Sequence, residues 1–127
     1  MEIKQLCANV GNYGPARNAQ AIKYIVIHYT GNDGDTAMNN ARYYASTVVK
    51  SSAHYFVDDK EIVQSVPDLR AAWAVGGGKY PSCPQTGGGT LYNVCRNTNS
   101  ISIELCDAKR DRTHAPAPGT VKAALAL

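Results

Sequence analysis

Lys23-Tyr-Ile-Val-Ile-His-Tyr-Thr30 is a run of β-branched and aromatic residues that stops at Gly31-Asn-Asp-Gly34, and it reads as a largely buried strand closed by a turn. His28 stands near its end. Beyond the turn the period changes. Met38, Ala41, Ala45, Val48 and Val49 recur at helical spacing, with Asp35 or Thr36 to cap the first turn, which predicts a helix over 36–49 that ends near Lys50. Ala53-His-Tyr-Phe-Val-Asp58 and Ile62-Val-Gln-Ser-Val66 then read as two strands joined across the polar turn Asp58-Asp59-Lys60. In Ser100-Ile-Ser-Ile-Glu-Leu-Cys106, Ile101, Ile103 and Leu105 take one face and Ser102, Glu104 and Cys106 the other, the alternation of a strand. The succession of strand, helix, hairpin, strand and helix predicts an α/β fold with a central mixed β-sheet flanked by helices.

Between the hairpin and the last strand, Gly76 to Asn99 is rich in Gly, Pro and Ser and exceeds the usual connection length, as functional loops do. Pro116-Ala-Pro-Gly119 breaks the chain, and Thr120, read as a cap, opens a helix that reaches Leu127 without a stop signal. A natural domain seldom ends in mid-turn on Leu-Ala-Leu, so the expectation is one domain over 1–127, shortened at its carboxyl end. The apolar last turn then offers a face for a dimer.

The 127 residues fit a single core, and 44% hydrophobic against 18% charged residues exclude intrinsic disorder. A net charge of +3, with Lys and Arg scattered along the chain, excludes a nucleic-acid partner. No apolar stretch is long enough to span a bilayer, and the amino end lacks the apolar region of a signal peptide, so the chain is expected to be made in the cytoplasm. Cys7, Cys83, Cys95 and Cys106 contain no CxxC pair. Cys83 and Cys95 bracket the Gly-rich loop; a disulfide there is one reading, two unpaired thiols the preferred one.

Ligands in α/β sheets gather at strand ends, which draws attention to His28. Glu104 is a carboxylate on a strand with an apolar face, where desolvation raises its pKa toward the range useful for proton transfer. Taken singly, each also has a structural explanation as a satisfied polar residue.

Four strings, Ile25-Val-Ile-His-Tyr-Thr30, Ser52-Ala-His-Tyr-Phe-Val-Asp58, Ala72-Trp-Ala-Val-Gly76 and Asn99-Ser-Ile-Ser-Ile-Glu-Leu105, in this order and at these separations, resemble the type 2 N-acetylmuramoyl-L-alanine amidases. That family includes phage endolysins and is similar in fold to the peptidoglycan recognition proteins. The resemblance implies a zinc hydrolase that cuts the amide between N-acetylmuramic acid and the L-alanine of the stem peptide, with peptidoglycan and muropeptides as partners. It places the chain in a bacterium or prophage, acting on the cell wall after release.

Carried over residue by residue, the resemblance makes His28 the first zinc ligand and Glu104 the catalytic acid or base. His54 lies where relatives carry a His or Tyr near the metal, with a structural role weighed above a catalytic one. Trp73 is read as lining the groove for glycan or stem peptide, although Ala74 stands where relatives commonly have His. Asn99 either binds the stem peptide or holds a turn, the turn being preferred. Family members place a second zinc His and an acidic or Cys ligand after the helix that begins here near Thr120, and no such segment is present. Zn²⁺ is therefore expected to be weakly held or absent, with His114 in its Pro-flanked loop read as exposed and unrelated to metal. The alternative reading is a non-catalytic peptidoglycan-binding module.

Overall fold

Side-chain alternation along three short strands settles which residues face which layer. In a computed structural model that describes residues 1–76 and 89–127, β1 (Ile3–Gln5), β2 (Tyr13–Ala16), β3 (Tyr24–Tyr29), α1 (Ala37–Ser46), β4 (Tyr55–Val57), β5 (Ile62–Gln64), β6 (Arg70–Ala72), β7 (Ser100–Leu105) and α2 (Pro118–Leu125) follow in chain order. The main sheet has the order β1-β5-β4-β7-β3, and β2 and β6 form a separate antiparallel pair. β4 and β5 are the antiparallel hairpin; β3 and β4 both run parallel to β7, and β1 parallel to β5. The sheet is mixed and central, as its sequence predicts.

On one face Phe56, Val63 and Cys106 pack with Ala53 against Ala37 and Ala41 of α1, with Leu6, Met38 and Tyr44 at the margin. On the other, Tyr55, Val57, Ile62 and Ile103 pack against Ala123 of α2. Odd and even positions of the same strands thus feed two cores. A third cluster, Ala8, Val66 and Ala72, joins the small sheet to the large one.

Two helix boundaries differ from expectation. The first helix ends at Ser46, not near Lys50, because the β-branched run Thr47-Val-Val49 leaves the helical region and Thr47 is already extended at φ −124°, ψ 130°. Asn12, fully buried, fixes that exit: its Nδ2 donates to the carbonyls of Tyr44 and Thr47 at 2.7 and 2.8 Å, and its Oδ1 accepts from the N–H groups of Val49 and Lys50 at 2.8 and 3.1 Å. The second helix opens at Pro118 with Ala117 as its cap, and Thr120 is buried within the first turn instead of capping it. Strands β1, β2 and β6 are not foreseen by periodicity: each is only three or four residues long, β1 and β2 are exposed or half-exposed, and β6 offers just two small buried alanines.

Of the long Gly-rich segment, 89–91 and 97–99 form single 3-10 turns, while Cys83, and with it the Cys83–Cys95 question, lies outside the described residues. Among the described residues no helix is long and apolar enough to cross a membrane.

Candidate active site

Parallel pairing puts facing residues on the same side of a sheet. His28 of β3 pairs with Glu104 of β7, and Glu104 pairs with Phe56 of β4, so the three form one row across the face that α1 covers. Phe56 is buried and stacks on Tyr44 of α1, with ring centroids 5.3 Å apart and planes 16° from parallel. The row therefore runs from an apolar ring on β4 to polar side chains on β7 and on the edge strand β3.

Burial, and secondarily the Asp35 carboxylate, push the Glu104 carboxyl up to about 7. A carboxyl at that value is present in both protonation states near neutral pH and can give or take a proton. Burial acts oppositely on His28, lowering its pKa and keeping the imidazole neutral. Its Nε2 is buried without a hydrogen-bond partner among the described residues. A neutral ring with a free, shielded nitrogen is the state in which histidine binds a metal.

The start of α1 places Asp35. Thr36 caps the helix, its Oγ1 accepting from the Asn39 N–H at 3.1 Å. Asp58, buried in the β4–β5 turn, accepts from the Ala37 N–H at 2.8 Å and from the N–H groups of Lys60 and Glu61 at 2.8 and 2.9 Å, locking helix start to hairpin. Asn40 donates to Asp35 Oδ1 and to the Thr36 carbonyl, and reaches Cys106 Sγ at 3.5 Å. Gly34, at φ +84°, completes the turn before it; a Cβ there would meet Arg110 Nε at 2.7 Å. Asp35 belongs to the site but carries no sequence signal beyond that of a helix cap.

The other predicted site residues gather at the opposite end of β7. His54 is 1% exposed. Its Nδ1 accepts from the Ser102 N–H at 3.0 Å, which assigns the ring proton to Nε2, 2.9 Å from the Arg70 carbonyl. Arg17 Nη2 also lies 2.9 Å from that nitrogen, and the guanidinium donates to the carbonyls of Asp68, Asn97 and Ser100 at 2.9, 2.9 and 2.6 Å. Both faces of the His54 ring edge are thus taken up inside the protein, the geometry of a structural tie. Asn99 uses Oδ1 to accept from the Arg96 N–H at 2.7 Å and Nδ2 to donate to the Val94 carbonyl at 3.0 Å, holding a turn. Trp73 is half-buried against β2, where a Cβ on Gly14 would come within 2.8 Å of its Nε1. Asn99 and Glu104 are about 16 Å apart along the strand at the usual rise.

Zinc can be tested against the donors present. The free Nε2 of His28 fits one ligand of a catalytic zinc, which takes three from the protein. Among the described residues no three His, Cys, Asp or Glu side chains converge on a common point. His114 is exposed, in a loop at φ 49°. The described residues therefore do not complete a zinc site, and the chemistry of the pair is read without one.

Fold and site together define an α/β sheet domain that carries a neutral histidine and a proton-exchanging carboxylate on adjacent parallel strands. A family model described as N-acetylmuramoyl-L-alanine amidase matches residues 18–127, and the chain belongs to that family. It is 36% identical over 92 residues to the N-acetylmuramoyl-L-alanine amidase CwlA of Bacillus subtilis (strain 168), covering 72% of this chain and 29% of the relative. To XlyB, an N-acetylmuramoyl-L-alanine amidase of the same strain, it is 37% identical over 92 residues, covering 72% of this chain and 25% of the relative. The chain thus spans less than a third of the length of these curated relatives. The solved structure of PlyL superposes with a TM-score of 0.71 at 29% identity, covering 99% of this chain and 69% of that one.

Proposed function

We propose that this chain performs the family reaction, hydrolysis of the amide between the lactyl group of N-acetylmuramic acid and L-alanine of the stem peptide, on cell-wall peptidoglycan. The observation that carries the reading is the Glu104 carboxyl, held at about 7 on the strand next to a neutral, unpartnered His28. Glu104 takes a proton from the attacking water as its oxygen bonds to the acyl carbon. The C–N bond then breaks, and the same proton passes from Glu104 to the leaving nitrogen of L-alanine. Trp73 enters as an apolar wall for substrate, while His54 and Asn99 spend their polar atoms on partners inside the protein. Toward a metal, the described residues offer the free Nε2 of His28 alone. The alternative of a non-catalytic binding module finds no support among the relatives, which carry amidase names, and a dimer through α2 finds none either.

The test is release of peptides with a free L-alanine amino terminus from peptidoglycan fragments, in excess zinc. Glu104→Gln should lower that release by roughly 100-fold or more while keeping the fold, since a neutral isostere cannot exchange the proton. Near-normal release by the variant removes Glu104 from the mechanism. No release by the parent chain overturns the reaction.

A further inference from the structure

A groove of about 320 Å³ opens beside the Glu104 row, lined by Asn32, Asp35, Asn39, Asn40, Tyr43 and Tyr44. Its volume is at the small end for ligand sites, room for a single saccharide unit. The chemistry of its walls is specific. Tyr43 is 50% exposed and meets Tyr44 edge to face, with centroids 5.3 Å apart, while Tyr44 stacks on the buried Phe56. The exposed ring is thus fixed from below and presents a rigid flat face, the most economical way to bind in entropy. Asn40 is spent on Asp35 and the helix, but the Asn39 side chain is exposed and makes no hydrogen bond among the described residues. Asn32 gives one bond to Asp35 at 3.3 Å and keeps its amide oxygen.

Among the described residues no lysine or arginine lines the groove, and the one charged group is the Asp35 carboxylate. A ligand carrying free carboxylates, such as the end of a stem peptide, is repelled there. A neutral ligand with one apolar flat face and a rim of hydroxyl and amide groups fits ring, amides and carboxylate together. We infer that this groove is a subsite for an uncharged N-acetylated sugar, taking the glycan unit next to the muramoyl residue and leaving the stem peptide to the other side of Glu104. Tyr43 is its platform, and Asn39 and Asp35 are its hydrogen-bonding edge. The assignment of that sugar to the substrate's glycan rests on the amidase reading; the sugar site itself does not.

The experiment titrates the chain with tri-N-acetylchitotriose, a neutral probe, and follows backbone amide resonances. Shifts should cluster at Asn32, Asn39 and Tyr43, with affinity lowered at least fivefold in Tyr43→Ala and in Asn39→Ala and preserved in Tyr43→Phe, which keeps the ring. In excess zinc, Tyr43→Ala should raise KM several-fold on a substrate bearing the neighbouring sugar, with kcat unchanged, and leave KM unaltered on a muramoyl-peptide lacking it. Sugar binding at these residues without any peptide release supports the subsite and overturns the amidase reading. Absence of shifts there, equal affinity in Tyr43→Ala, or shifts produced by an L-alanine stem peptide in place of the sugar would overturn the subsite.

Discussion

The Glu104 carboxyl and the His54 ring pull stability in opposite directions as pH changes. Glu104 has a folded pKa of about 7 against 4.5 for a free side chain, so its contribution is complete below 4.5 and is lost as pH rises through 7. His54 is lowered below 6.5 by burial, with Arg17 adding to the effect, so its contribution is complete above 6.5 and is lost as pH falls. Glu104→Gln removes the first slope. In urea melts of the metal-free chain with a chelator present, that variant should be more stable than the parent at pH 8, by about 1–2 kcal/mol after solvent screening, and no more stable at pH 4. Equal pH profiles would show that Glu104 is not desolvated. For His54, ring nitrogen shifts should report one tautomer, protonated at Nε2, down to below pH 6.5. Glu104 is legible in sequence because an acid on a strand with an apolar face is rare; His54 is not, because a buried histidine and a site histidine share the same string until the partners of both ring nitrogens are known.

At the scale of elements, α1 shows what periodicity misses. Val48 and Val49 keep the helical spacing of Met38, Ala41 and Ala45, yet they lie outside the helix because a side chain remote in sequence satisfies the groups at its end. Replacing Asn12 by Ala should remove four hydrogen bonds and leave the Thr47 carbonyl and two N–H groups without these partners, the Tyr44 carbonyl keeping its bond from the Asn9 N–H. The expected cost is about 2–4 kcal/mol, read as a lower urea midpoint with unchanged slope. A loss below roughly 0.5 kcal/mol would mean that water replaces the amide. The strands that carry the candidate pair are legible because their apolar runs are strong, but the burial expected of the first does not hold: β3 is the edge strand of the sheet, with Ile25 and Ile27 exposed. β1, β2 and β6 are not legible, since three or four residues, exposed in β1 and small and alike in β6, leave no period to read.

For the molecule as a whole, ligand number decides metal affinity. With His28 as the sole assigned donor, zinc should be lost on gel filtration, and His28→Ala should abolish whatever retention remains; one tightly held equivalent surviving chelator-free dialysis would show that other donors complete the site. The groove along α1 has no signature in the sequence, since Asn39 and Tyr43 sit on a helix surface, where such residues are ordinarily solvated. The Arg17 guanidinium raises a different matter. It lies one residue before the segment matched to the family, at 18–127, yet it ties the carbonyl of Asn97, in the turn before β7, to that of Ser100, where β7 begins. A chain begun at Asn18 would retain every residue by which the family is recognised and lose Arg17, Asn12 and two strands together. Its thermal transition should broaden or vanish, whereas a sharp transition near the parent's would make the first 17 residues an ornament. Ancestry and cooperativity therefore draw the edge of this protein at different places, and it is the second that says what must be expressed for the first to have any meaning.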